Sequence, residues 1–274
     1  LGNAWGAGLY RWISADLQDF PIGLAELEPY FDTLTAEIGI SGADDDLAEF
    51  FGDAAGLQPP LELSHNARRV ALAYRRKRKA LRVKRIYLGR PRAGVLTVPK
   101  DGRPACDYSN LEFWQQQPYV YTPAVTLHKL IDAGQIDYRP GLLVQRWIET
   151  ADGVSVVAKD VRSGEAVTVT GQRLLLAAGA INTARIALQS AGDTATHLPL
   201  LENPVLQIPL VLPASLGRRL DTHAFGLVQL NLVWESAAYQ TILQGSLLEL
   251  TAPLRAEFFG RFPLAARANL ALIR

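Results

Sequence analysis

The sequence predicts a mixed α/β chain with α+β character. Three observations carry this. Leu174–Ala178 is an apolar run without polar alternation, the pattern of a strand buried on both faces in a parallel sheet. Gly179 breaks the run, and Ile181, Ala184, Ile186 and Leu188 then recur at roughly helical intervals, with Asn182 or Thr183 able to cap the helix start. Elsewhere, short segments alternate apolar and polar residues between turn signals, as strands of antiparallel sheets do. The strand–glycine–helix corner has two readings: an ordinary corner of the fold, or a place where backbone N–H groups face a ligand closely.

The 274 residues suffice for one large or two modest domains, and 49% are hydrophobic, enough for a sizeable core. The net charge of +1 excludes a strong overall attraction to polyanions. No run approaches the roughly eighteen apolar residues of a membrane span. Cys106 is the only cysteine, so an internal disulfide and a Cys-based zinc site are excluded; it reads as a small core residue. The chain holds no methionine, starts inside a glycine-rich loop and stops without a turn signal, so it reads as a fragment of a longer protein.

In chain order, Leu1–Arg11 holds Gly2, Gly6 and Gly8, which let the backbone bend and a flat ligand approach, with the rings of Trp5 and Tyr10 beside them. A plain surface loop explains the same residues. Ser14–Ile22 is a capped turn. Leu24–Ile38 is an amphipathic helix with Leu27, Tyr30, Phe31, Leu34 and Ile38 on one face, ended by Gly39. Asp44-Asp45-Asp46 lacks the alternating ligands and glycine of a calcium loop and reads as an acidic helix start. Leu57–Leu63 is an extended connector.

Arg75–Arg85 places eight Lys or Arg residues in eleven positions. It is either a site for an anionic partner or a solvated helix, Val70–Leu81, running into a strand. The second reading is favoured, because no aromatic side chains are interleaved for base stacking and the whole chain is nearly neutral. Val83–Leu88 and Ala93–Val98 are predicted strands around the Gly89-Arg90-Pro91 turn. Cys106–Tyr121, with Tyr108, Phe113, Trp114, Tyr119 and Tyr121, either lines a pocket or packs between domains. Pro123–Ala133 is a helix closed by Gly134; His128 on it is structural or exposed. Ile136–Tyr138, Gly141–Thr150, Val154–Lys159 and Ala166–Thr170 form a small antiparallel sheet. The prolines 199, 204, 209 and 213 mark an irregular connection, after which Phe225–Trp234 and Tyr239–Leu250 are two long strands, with Leu227, Gln229, Asn231 and Val233 on one face.

The order of these pieces is similar to the middle of the glucose–methanol–choline (GMC) oxidoreductase family. The Gly-Asn-Ala-Trp-Gly-Ala loop at 2–7, the basic stretch, the small sheet and Leu-Leu-Leu-Ala-Ala-Gly-Ala-Ile-Asn-Thr at 174–183 carry the resemblance. It implies a partial FAD-binding, Rossmann-like domain over 1–198, interleaved with part of an antiparallel-sheet substrate domain over 199–274. Gly2, Asn3, Ala4, Trp5, Gly6 and Ala7 would lie against the flavin. Val144 would meet the adenine through its backbone, and Ala178, Gly179, Ala180 and Asn182 would sit near the diphosphate or ribose. No histidine precedes His65, so the implied FAD is noncovalent.

The family's opening Gly-x-Gly-x-x-Gly and its catalytic histidine fall outside the matched stretch. His197 and His223 sit in no His-Pro-x-Gly-like context, so no catalytic residue is assigned. The implied chemistry is oxidation of a CH–OH group of an alcohol or sugar, a base taking the proton while hydride passes to flavin N5. The implied fragment supplies cofactor cradle and substrate wall without turning over alone, and the electron acceptor is open. Two other readings stand beside it. One is a binding module using Arg75–Arg85 for nucleic acid or an acidic partner; the other is a different FAD- or NAD-dependent family sharing the corner at Gly179.

Overall fold

The computed structural model describes residues 7–53, 55–108, 117–193, 195–200, 206, 208, 210, 212–213, 227–236 and 241–249. The chain is mixed α/β with two three-stranded antiparallel sheets. It divides into two compact units, Leu1–His128 with Leu210–Arg274, and Lys129–Pro209.

In the first unit, α1 spans Leu24–Ile38 as predicted. Its first turn is tied by the Glu26 carboxylate, which accepts the Gly23 N–H at 2.9 Å. Gly39 ends it in the left-handed region, φ 77°, donating to the Thr35 carbonyl. The buried face differs from the expected one. Leu27, Phe31, Thr35 and Ile38 turn inward, whereas Tyr30 is 65% and Leu34 47% exposed. Thr35 reaches the interior because its hydroxyl donates to the Phe31 carbonyl at 2.7 Å and so buries no unmet donor.

A four-residue helix α2, Ala48–Phe51, follows the acidic run. Asp45 starts it by accepting the Leu47 N–H at 3.0 Å, so the expected acidic helix start holds. The helix α3 extends from His65 to Val83, past both ends of the expected Val70–Leu81, and takes in Val83, expected in the following strand. Its sequence has no Gly or Pro and is rich in Ala, Leu, Arg and Lys, all strong helix formers. Ser64 caps it by accepting the Ala67 N–H.

The first sheet has the order β1–β5–β6, from Ile86–Gly89, Val228–Ser236 and Thr241–Leu248. The two late strands are the predicted pair, Asn231 opposing Gly89 on one side and Ser246 on the other. One face packs on α3 through Ala67, Tyr74, Leu88 and Leu230. On the other, Tyr87 and Val233 meet Leu47 and Phe51. Each fully buried aliphatic or aromatic side chain here contributes about 2 kcal/mol. The predicted strand Ala93–Val98 forms no ladder. Ala93, Val95 and Leu96 are core residues, but they join Gly8, Ser41 and Val120 only through isolated bridges. The backbone bends at Gly94 and again at Thr97 and Val98, so the segment is not straight enough to carry a ladder.

The helix α4, Pro123–Asp132, crosses the division between units, and Gly134 beyond it has φ 65° as the predicted stop. The second unit is a meander, β2 (Leu142–Thr150), β3 (Gly153–Asp160) and β4 (Ala166–Gly171), followed by α5, Ala180–Ala191. All three strands fall within a residue or two of the predicted segments; Ile136–Tyr138 is not a strand. The larger departure is Leu174–Ala178, expected as a strand buried on both faces. It pairs with nothing among the described residues, and Leu175 is 89% exposed. A parallel strand exists only through its neighbours' ladder bonds; every described ladder is antiparallel and none includes this segment.

Candidate functional site

The sequence singles out two clusters of residues expected to face a cofactor, and they fall in different units. The first is the loop at 2–7. Gly2, Asn3, Ala4, Trp5 and Gly6 lie outside the described residues, as do Phe113 and Trp114 of the aromatic stretch. Ala7 is described. It is buried, packed with Leu61, Ala93, Val95 and Leu227, and its carbonyl accepts the Gly94 N–H at 2.8 Å. Its φ of 58° is left-handed, unusual for a residue with a Cβ. Three residues on, the Tyr10 ring packs on Phe51 at 4.9 Å between centroids, and burial pushes its hydroxyl up out of the ordinary tyrosine range.

The second cluster is Val144 with the turn at 178–182, and here one unit holds every member. β2 is an edge of its sheet, so its outward backbone groups need partners other than a strand. α5 supplies them. Arg185 Nη2 donates to the Val144 carbonyl at 3.1 Å, and the Trp147 N–H donates to Ser190 Oγ at 2.9 Å. The Ser190 hydroxyl in turn donates to the Ile186 carbonyl, and the buried Ile186 faces the sheet. The register slips between Val144 and Arg146, which bends the strand at this point.

α5 starts at Gly179, whose φ of 83° only glycine adopts without strain. A Cβ placed there would meet nothing within 4 Å, so the space before the helix is open. Thr183 locks the turn from both sides: its N–H donates to the Gly179 carbonyl at 2.8 Å and its hydroxyl accepts the Ala178 N–H at 3.1 Å. Asn182 therefore is not the cap; Gly179 takes the cap position and Ala180, Ile181 and Asn182 form an exposed first turn. The N–H groups of such a turn have no intrahelical partner.

The basic run has a double character that its composition hid. Arg78 and Arg82 turn back toward the acidic segment. Arg78 Nε donates to both Asp46 oxygens, at 3.0 and 2.9 Å, and Arg82 pairs with Glu49 while its guanidinium lies 4.9 Å from the Tyr87 ring centroid. The Tyr74 hydroxyl also donates to Asp46. The Arg78 contact, with Tyr74 and Arg82 behind it, holds the Asp46 carboxyl down at about 2 despite its burial. Asp45 answers differently. Burial pushes it up, although the Arg90 and Leu47 N–H groups both donate to it. Asp45 and Asp46 thus form a structural clasp. Among the described residues no group of three or more His, Cys, Asp or Glu side chains is placed to hold a metal ion.

Other singled-out residues have plain positions. Cys106 packs beside the core, free and half-buried, and burial pushes its thiol up. His128 and His197 are exposed, and His223 lies outside the described residues. Two buried polar residues stand apart from these. Arg92, inside the core, donates to the Ala43 and Gly52 carbonyls at 2.6 and 2.8 Å. Asn231 is fully buried; Ser246 donates to its Oδ1 at 3.4 Å and its Nδ2 has no partner among the described residues. The alternation placed Asn231 on one face with Leu227, Gln229 and Val233, and all four are buried. No described helix is long and apolar enough to cross a membrane. No family model matches the chain, and no curated protein matches it at a significant level.

Proposed function

We propose that the chain is part of a GMC-type, FAD-dependent oxidoreductase acting on CH–OH groups of an alcohol or sugar. The observation that supports this most is the joining of Val144 to the Gly179 turn. Two stretches picked out separately for the adenine and the diphosphate belong to one unit, linked by Arg185. The residues present fit the group. The exposed first turn of α5 offers backbone donors and a positive helix end to a diphosphate, and Gly179 leaves room for it.

On this reading, Val144, Ala178, Gly179, Ala180 and Asn182 hold the adenosine diphosphate part. α5 with the segment before it belongs to a Rossmann-like domain. FAD, when bound, supplies hydride acceptance. The chain's own residues bind and orient it; none of them is assigned as the base. FAD is held noncovalently. The test is anaerobic addition of alcohols and sugars to the full-length protein. Bleaching of a flavin absorption band by at least one of them supports the reading, and a protein with no flavin band to bleach contradicts it.

A further inference from the structure

We propose that the outward face of α3 is a docking surface for an anionic lipid bilayer, independent of the flavin reading. Arg75, Arg76, Lys77, Lys79, Lys84 and Arg85 are exposed, and none has a carboxylate partner among the described residues. Arg78 and Arg82, the two cations of the run that do, are those turned toward Asp46 and Glu49. The helix thus sorts its charge: two arginines fasten it to the protein and the remainder point to solvent. The segment holds eight of the chain's 28 cations and none of its 27 acids, leaving 20 cations against 27 acids elsewhere. A nearly neutral chain therefore carries one basic stripe on an otherwise acidic background.

The stripe is not purely ionic. At 3.6 residues per turn, Arg75, Lys79, Leu72, Val83 and Arg76 fall within about 100° of the helix circumference. Leu72 is 51% and Val83 85% exposed in the midst of these cations. The opposite side of α3 is committed to the sheet through Ala67 and Tyr74, so the stripe cannot turn inward. A nucleic acid would leave the two aliphatic side chains without a partner, and the stripe has no aromatic ring for a base. A bilayer accepts both kinds of group, anionic headgroups meeting the cations while Leu72 and Val83 enter the interface. Its mobile anions also match a broad arc of charge that one acidic helix would only partly cover.

The experiment is co-sedimentation of the full-length protein with phosphatidylcholine vesicles, with and without phosphatidylserine, at about 0.1 M salt. The expected result is binding to the phosphatidylserine vesicles only, lost at high salt. Arg75→Gln, Arg76→Gln, Lys77→Gln and Lys79→Gln together should weaken it by at least about a hundredfold. Leu72→Ser with Val83→Ser should weaken it several-fold while keeping the salt dependence. The high-salt loss is read on the unaltered protein, so the test does not depend on any variant folding. Equal binding to both vesicles, no binding to either, binding unchanged in the four-cation variant, or tighter binding to duplex DNA than to phosphatidylserine vesicles at the same salt overturns the proposal.

Discussion

Arg185 of α5 donates to the carbonyl of Val144 in β2 at 3.1 Å, so a helix side chain closes the edge of a sheet. A charge-assisted bond of this kind contributes about 1.5–3 kcal/mol, and its loss leaves an edge carbonyl without that partner. Arg185→Gln keeps a donor too short to reach. It should lower thermal stability by a few degrees and weaken FAD retention by about tenfold, read as the flavin-to-protein ratio after dialysis of the full-length protein.

Gly179→Val tests the turn itself. A Cβ there has open space, so the cost comes from the backbone alone: φ 83° is strongly disfavoured for a β-branched residue. The expected penalty is about 1–3 kcal/mol at the helix start. On the proposed reading, in which that turn donates to the diphosphate, flavin retention should fall by more than the melting temperature suggests. Equal retention in the variant and the parent would separate the turn from the cofactor.

Asp46 makes stability depend on pH. Its folded value, held down to about 2 chiefly by Arg78, lies below the ordinary carboxylate value. The unfolded chain therefore binds the proton more readily, and acid favours unfolding. The contribution, about 1–2 kcal/mol, is complete above pH about 4 and fades as pH falls through about 2. Denaturant midpoints measured across that window should drop, and Asp46→Asn should be less stable at neutral pH and show a shallower fall.

Gly89→Ala should be severely destabilising for want of space. An added Cβ would stand 2.2 Å from Asp45 Oδ1, and that carboxylate cannot withdraw without leaving the Arg90 and Leu47 N–H groups. A loss of at least about 2 kcal/mol is expected by urea titration. Asp45→Gly in the same chain should recover part of it.

What could be read in advance was local. Leu24–Ile38 and Gly39, Pro123 and Gly134, and the three strands between Leu142 and Gly171 are set by periodicity and by stop residues within a few positions. The late hairpin followed from alternation at Leu227, Gln229, Asn231 and Val233. What depended on distant residues was not legible. Leu174–Ala178 has the composition of a buried strand, but composition does not provide neighbours. Tyr30 and Leu34 fit the apolar stripe of α1, yet Thr35 took the inward place by bonding its own helix. The inward turn of Arg78 and Arg82 is invisible in a row of eight cations, because its cause is Asp46, some thirty positions earlier. Val144 and the Gly179 turn were each marked, but the arginine that joins them was not.

The most direct test of the account is the flavin content of the full-length protein. Purified protein should show flavin absorption, and acid precipitation should release close to one FAD per chain into the supernatant, with none left on the pellet. Protein that is folded, colourless and still without FAD after incubation with an excess of it would contradict the cofactor reading of Val144 and Gly179.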